Sequence, residues 1–143
     1  MSGSRVLLVD DETEFVETLA MRLETRGLKV DFAETGEMAV EKVQEKPFDA
    51  ILLDLAMPGM DGIETLRRLR ELNPDSQVIL LTGHATVKKT TEAMRLGALD
   101  LLEKPVEIGT LVEKIEEAAT NKMRLTEQRL SDQMTDILRK KGW

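Results

Sequence analysis

Five short apolar runs punctuate the chain: VLLVD at 6–10, LKVDF at 28–32, AILLD at 50–54, VILLT at 78–82 and LDLLEK at 99–104. Each has the length of a strand, and each interval between them has room for a helix. The first, third and fourth runs are apolar on both faces, the pattern of strands in the middle of a parallel sheet covered by helices. The second alternates, with Leu28, Val30 and Phe32 against Lys29 and Asp31, and the fifth is interrupted by Asp100. Both patterns suit edge strands. Strands alternating with helices read as an α/β fold, a three-layer sandwich built on a five-stranded parallel sheet.

The intervals carry the punctuation of helices. Gly27 and Gly97 follow MRLETR and TEAMRL, where a glycine ends a helix, and Asn73-Pro74-Asp75 closes the third helix. Thr35 and Asp61 are predicted N-caps, and Asp61 with Glu64 has the spacing of a capping box.

After position 120 the pattern changes. No Pro or Gly interrupts NKMRLTEQRLSDQMTDILRKKGW, residues 121–143, before Gly142, so the fifth helix is predicted to continue. At about 100° per residue, Leu111, Ile115 and Ala118 form the core-facing stripe. Val112, Ala119, Met123, Leu130, Met134 and Ile137 form another, rotated by roughly 100°. The expected organisation is a globular domain over residues 1–120 and a helical extension over 121–143. A stripe with no partner inside its own domain points to a homodimer, or to docking along the side that the fourth and fifth helices share.

Composition narrows the classes. At 143 residues, 41% hydrophobic and 33% charged, the chain is sized for one core. It has no cysteine, which excludes disulfides and thiolate metal sites. The N-terminal MSGSRVLLVD is too short in apolar residues for a signal peptide or a membrane span, so the cytoplasm is the expected compartment. The net charge of −7 is uneven: residues 120–143 carry six basic and three acidic groups, net +3, which leaves −10 for residues 1–119. An acidic body argues against direct nucleic-acid binding.

The polar residues that close the strands carry the chemistry. Asp10 and Asp11 follow the first strand, Asp54 ends the third, Thr82 the fourth and Lys104 the fifth. In an open α/β sheet those ends border the ligand crevice, so the five side chains should converge. Carboxylates held that close repel one another unless a proton or cation joins them. An all-oxygen donor set without His or Cys favours Mg2+. A carboxylate beside Mg2+ and an ammonium is a phosphoryl acceptor in waiting, because phosphoryl transfer needs an in-line nucleophile and positive charge around the moving oxygens.

VLLVDDE, ILLDLAMPGMDG, VILLTGHA and GALDLLEKP, in this order and at these spacings, resemble the receiver domain of two-component response regulators, from residue 4 to about 120. The resemblance implies a flavodoxin-like (βα)5 fold with strand order 2-1-3-4-5. It also implies that Asp54 accepts the phosphoryl group of a sensor histidine kinase. Asp11 would coordinate Mg2+ directly, Asp10 through water or by positioning it, and the Ala56 carbonyl would complete the protein ligands. Thr82 and Lys104 would bind the phosphoryl oxygens, and Pro105 is the proline expected after that lysine.

Three positions bear on how such a switch would be tuned. Leu101 stands where the family commonly has Tyr or Phe, so switching by aromatic rotation is in doubt. Ala56 and His84, two residues beyond Asp54 and Thr82, would set how fast water attacks the phosphoaspartate. For His84 a plain place in the first turn of the fourth helix weighs equally.

Two other readings stay open on the residues. A Mg2+-dependent phosphatase working through an aspartyl phosphate also places an Asp at a strand end. It normally has a second Asp two residues on as general acid, where this chain has Ala56. A pseudo-receiver would be an interaction module with a vestigial acidic site, against which the complete set of Asp10, Asp11, Asp54, Thr82 and Lys104 stands. The reading adopted is a switch and not an enzyme, either alone or ahead of an effector, since the residues after 120 are too few for an output domain.

Overall fold

The computed structural model describes residues 3–56, 61–83 and 87–142. Strands and helices alternate as β1 (Arg5–Val9), α1 (Thr13–Thr25), β2 (Lys29–Ala33), α2 (Gly36–Glu45), β3 (Ala50–Leu53), α3 (Gly62–Leu72), β4 (Val78–Thr82), α4 (Val87–Arg95), β5 (Asp100–Glu103) and α5 (Ile108–Lys140). The strands pair in parallel in the order β2-β1-β3-β4-β5. The three apolar runs are the central strands and the two broken ones the edges, as their patterns predict.

Alternation along the strands divides the interior into two cores. Leu7, Val9, Ile51, Leu53, Val78 and Leu80 face α2, α3 and α4, meeting Val40, Leu66, Leu69 and Ala93. Val6, Leu8, Ala50, Leu52, Ile79 and Leu81 face α1 and α5, meeting Val16, Leu19, Leu23, Leu111 and Ile115. With apolar side chains on both faces, these strands leave polar groups only at their ends. Phe32 departs from the expected alternation. It lies near the end of the edge strand beside Thr13 and Glu17 of α1, and the residue stays 52% exposed.

The helix ends follow the punctuation. Thr35 Oγ1 accepts from the Met38 N–H at 3.1 Å and Asp61 Oδ1 from the Glu64 N–H at 2.8 Å, while the Glu64 carboxylate reaches on to Arg67 at 2.6 Å. Gly27 and Gly97 leave α1 and α4 at φ of +85° and +98°. Gly62 opens α3 for another reason: a Cβ there would lie 2.3 Å from Leu55 Cα, so only glycine lets α3 start directly beneath the loop after β3.

Helix α5 is a single helix of 33 residues, about 50 Å long at 1.5 Å per residue. Leu111, Ile115 and Ala118 are fully buried, the predicted core stripe. Met123, Leu130, Met134 and Ile137 lie 49–58% exposed, but the expected second stripe does not hold for its first two members: Ala119 is buried and Val112 packs half-buried against the core beside α1, because the helix still lies on the sheet there. The extension nevertheless stays attached beyond position 120 through polar groups. Lys122 Nζ donates to the Phe48 carbonyl at 2.7 Å and Asn121 Nδ2 to Gln77 Oε1 at 3.5 Å. Thr126 Oγ1 donates to Asp75 Oδ2 at 3.3 Å, and Arg129 pairs with the same carboxylate. These contacts grip the loops leading into β3 and β4, at the end of the sheet opposite the strand termini that carry Asp10 and Asp54.

The Asp75 side chain is 11% exposed and the Arg129 side chain 47%, so solvent screening limits this pair to roughly 1 kcal/mol. Replacing Arg129→Ala should therefore lower the melting temperature by only a few degrees. Amide hydrogen exchange across residues 121–140 should accelerate while the strands keep their protection, which exchange mass spectrometry would read.

Candidate functional site

Strand register builds the site. Val9 of β1 lies opposite Leu53 of β3, and Thr82 of β4 opposite Glu103 of β5, so the residues that follow emerge side by side. Asp10 donates its N–H to the Ala33 carbonyl, Asp54 to Val9 and Lys104 to Thr82, at 2.9–3.1 Å. Each backbone is thus held to a neighbouring strand at the point where its side chain leaves the sheet.

Both aspartates are nearly closed to solvent, Asp10 at 4% and Asp54 at 5%. Each ties one oxygen to its own loop: Asp10 Oδ1 accepts from the Glu12 N–H at 3.0 Å and Asp54 Oδ1 from the Ala56 N–H at 3.1 Å. The other oxygens face Lys104, whose Nζ lies 2.7 Å from Asp10 Oδ2 and 3.5 Å from Asp54 Oδ2. The same ammonium lies 2.8 Å from Glu12 Oε1 and 4.3 Å from the centre of the Phe15 ring. Carboxylate oxygens of Asp10, Glu12 and Asp54 all lie within 4.8 Å of one another.

Electrostatics set the protonation states. Burial pushes the Asp54 carboxyl above its ordinary range; the Ala56 N–H opposes this, the Asp10 charge adds to it, and Lys104 opposes it. Burial works against the Lys104 ammonium, but its hydrogen bonds to Asp10 and Glu12 outweigh that and raise its pKa. Three carboxylates and one ammonium carry a formal −2. The donor set is oxygen only, which fits a hard divalent cation.

The structure brings together Asp10, Asp54 and Lys104 of the predicted set, with Thr82 buried beside them at the end of β4. Asp11 is exposed and stands outside the carboxylate cluster among the described residues; Glu12 takes part instead. Glu12 is the third acid of VDDE, and its exposed, helix-start position reads as an ordinary cap until Lys104 is seen to reach it. Ala56 contributes its N–H to Asp54, and its methyl carries no acid. Leu101 packs, half-buried, against the core shared with α2, α3 and α4. Pro105 is exposed and follows Lys104 through a cis peptide bond. His84 lies outside the described residues. No helix among the described residues is long and apolar enough to cross a membrane.

Compared with known families, the chain matches the response regulator receiver domain over residues 6–116. The transcriptional regulatory protein ZraR of Klebsiella oxytoca is 39% identical over 134 residues, 92% of this chain and 30% of that protein. The response regulator receiver protein CpdR of Brucella abortus is 37% identical over 112 residues, 78% of this chain and 93% of that protein. Among solved structures, a CheY-like receiver domain protein from Methanospirillum hungatei superposes with a TM-score of 0.81 at 31% identity, covering 86% of this chain and 98% of its own. The chain therefore spans less than a third of the length of ZraR but most of the length of the single-domain relatives.

Because the Asp54 carboxyl is raised in the fold, its ionisation opposes folding: the stability it contributes is complete below its ordinary 3.8 and is lost as pH rises through the folded value. In chelator-treated protein, Asp54→Asn should melt above wild type at pH 7. The gap should close as pH falls toward 3.8, as thermal melts across a pH series would show.

Proposed function

The chain belongs to the response regulator receiver family and is a phosphoacceptor domain of two-component signalling; from that premise we propose that Asp54 is its acceptor and Lys104 the cation that serves it. The observation that supports this is the geometry of Asp54. It is buried, with one oxygen held by the Ala56 N–H and the other turned toward the Lys104 ammonium. A carboxylate fixed in that way is oriented for in-line attack.

In this reading the free Asp54 oxygen forms a bond to the phosphorus of a kinase phosphohistidine as the P–N bond breaks. The electron pair returns to the imidazole, which takes up a proton. Lys104 leaves Asp54 Oδ2 for a phosphoryl oxygen, and the Thr82 hydroxyl, at the end of β4, donates to another. Asp10, Asp54, the Ala56 carbonyl and Asp11, in the turn after Asp10, would hold Mg2+, which when bound supplies positive charge to the transferring oxygens.

Ala56 also bears on lifetime. With a methyl in place of a general acid, no side chain at this position can protonate a leaving group, so turnover on an external phosphoester is not expected. Leu101 lacks the aromatic ring commonly found at this position in the family, so a switch here would work by repacking of the half-buried leucine against its core and not by swinging a phenol. The exposed stripe of Met123, Leu130, Met134 and Ile137 supports a second copy of this chain, or a downstream effector, as the partner that reads it.

With Mg2+ and acetyl phosphate, wild-type protein should gain one labile phosphoryl group, detected by intact mass. Asp54→Asn should gain none, and Lys104→Met should be slowed by roughly two orders of magnitude, the loss typical of removing one charge-stabilising donor. Wild-type protein that takes up no phosphate would overturn the assignment.

A further inference from the structure

Lys104 is engaged away from the residue it would serve. An ammonium has three N–H donors. Its short contacts go to Asp10 at 2.7 Å and Glu12 at 2.8 Å, whereas Asp54 lies at 3.5 Å, the limit of hydrogen bonding. Glu12 and Phe15 both stand at the start of α1, so they draw the ammonium toward one side of the crevice. The ring supports it from below at 4.3 Å, a cation–π distance. The Glu12 backbone is fixed to the site by its N–H on Asp10 Oδ1, while its side chain, 61% exposed, makes no capping bond of its own to α1.

Building on the assignment of Asp54 as acceptor, we infer that Glu12 is a positioning residue that berths Lys104 against α1, in competition with the phosphoryl group. The lysine is bound to Glu12 in the resting site and must release it to engage a phosphoryl oxygen on Asp54. A ligand whose binding-competent state is populated only in part binds more weakly in proportion to that fraction. The strength of the Glu12–Lys104 pair therefore sets how readily the phosphorylated state forms and how firmly it is held. Because Glu12 is exposed and Asp10 is not, the berth can be weakened without emptying the buried part of the site.

Glu12→Gln removes the charge and keeps the shape, and Glu14→Gln removes an equal charge from the same helix as a control. In protein carrying 13C-labelled lysine, without Mg2+ or phosphate, Glu12→Gln should shift the Lys104 Cε resonance and Glu14→Gln should leave it in place. Calorimetry at saturating Mg2+ should show beryllofluoride binding about threefold to tenfold tighter in Glu12→Gln. That gain should vanish when Lys104→Met is present in both proteins. An unchanged Lys104 resonance overturns the berth, and so does a gain of equal size in the Lys104→Met background, which would mean a general field effect. Retention of beryllofluoride by Asp54→Asn would instead refute the acceptor assignment, with the resonance still deciding the berth.

Discussion

Asp10 and Asp54 are buried at adjoining strand ends, where two like charges oppose folding unless a cation lies between them. Lys104 is that cation, and it arrives from the far side of Thr82 because β5 pairs with β4 and delivers it at the same edge. Everything around the site serves this placement. Central strands that are apolar on both faces leave polar groups nowhere to go but their ends. Gly62 lets α3 begin against the backbone of Asp54 and Leu55, where any side chain would collide. A resting site of three acids and one base is short of positive charge, and that deficit is what a divalent cation would offset.

The fold meets the same problem twice and solves it differently. At the carboxyl edge, burial raises the Asp54 carboxyl above its ordinary range, and the neighbouring Asp10 charge adds to it. At the opposite edge, Asp75 is also buried, but Thr126 and Arg129 of α5 come to it from the same chain. Asp75 is met by donors from α5, whereas Asp54 is met by its own loop and by a lysine that it shares with Asp10 and Glu12. The consequence for α5 is that polar contacts hold the extension against the sheet while its apolar stripe remains turned outward.

Much of this was legible in the chain. Strand positions, edge against centre, the caps at Thr35 and Asp61 and the convergence of Asp10, Asp54, Thr82 and Lys104 all follow from local pattern and from the rule that open sheets bind at their carboxyl ends. What was not legible depends on side-chain direction across elements. Asp11 and Glu12 are adjacent acids in a tight turn, and only the start of α1 decides that Glu12 reaches Lys104 while Asp11 faces solvent. Phe32 fits an inward face by alternation, yet it sits on an edge strand beside the polar Thr13 and Glu17 of α1 and stays half exposed. The grip of Arg129 on Asp75 joins residues 54 positions apart, a pairing that helical periodicity alone cannot foresee.

These two edges also explain why one lysine can hold the resting site without locking it. The Asp10 contact is buried and short, so it persists in a medium where charge pairs are strong. The Glu12 contact is equally short but lies at the surface, where water and salt weaken it. A strong inner contact and a weak outer one let Lys104 pivot about Asp10 instead of leaving the site. Its Nζ already stands 3.5 Å from Asp54 Oδ2, at the limit of hydrogen bonding. The Lys104 backbone is held to Thr82 of β4, so a turn of this side chain about Asp10 asks nothing of the strand that carries it.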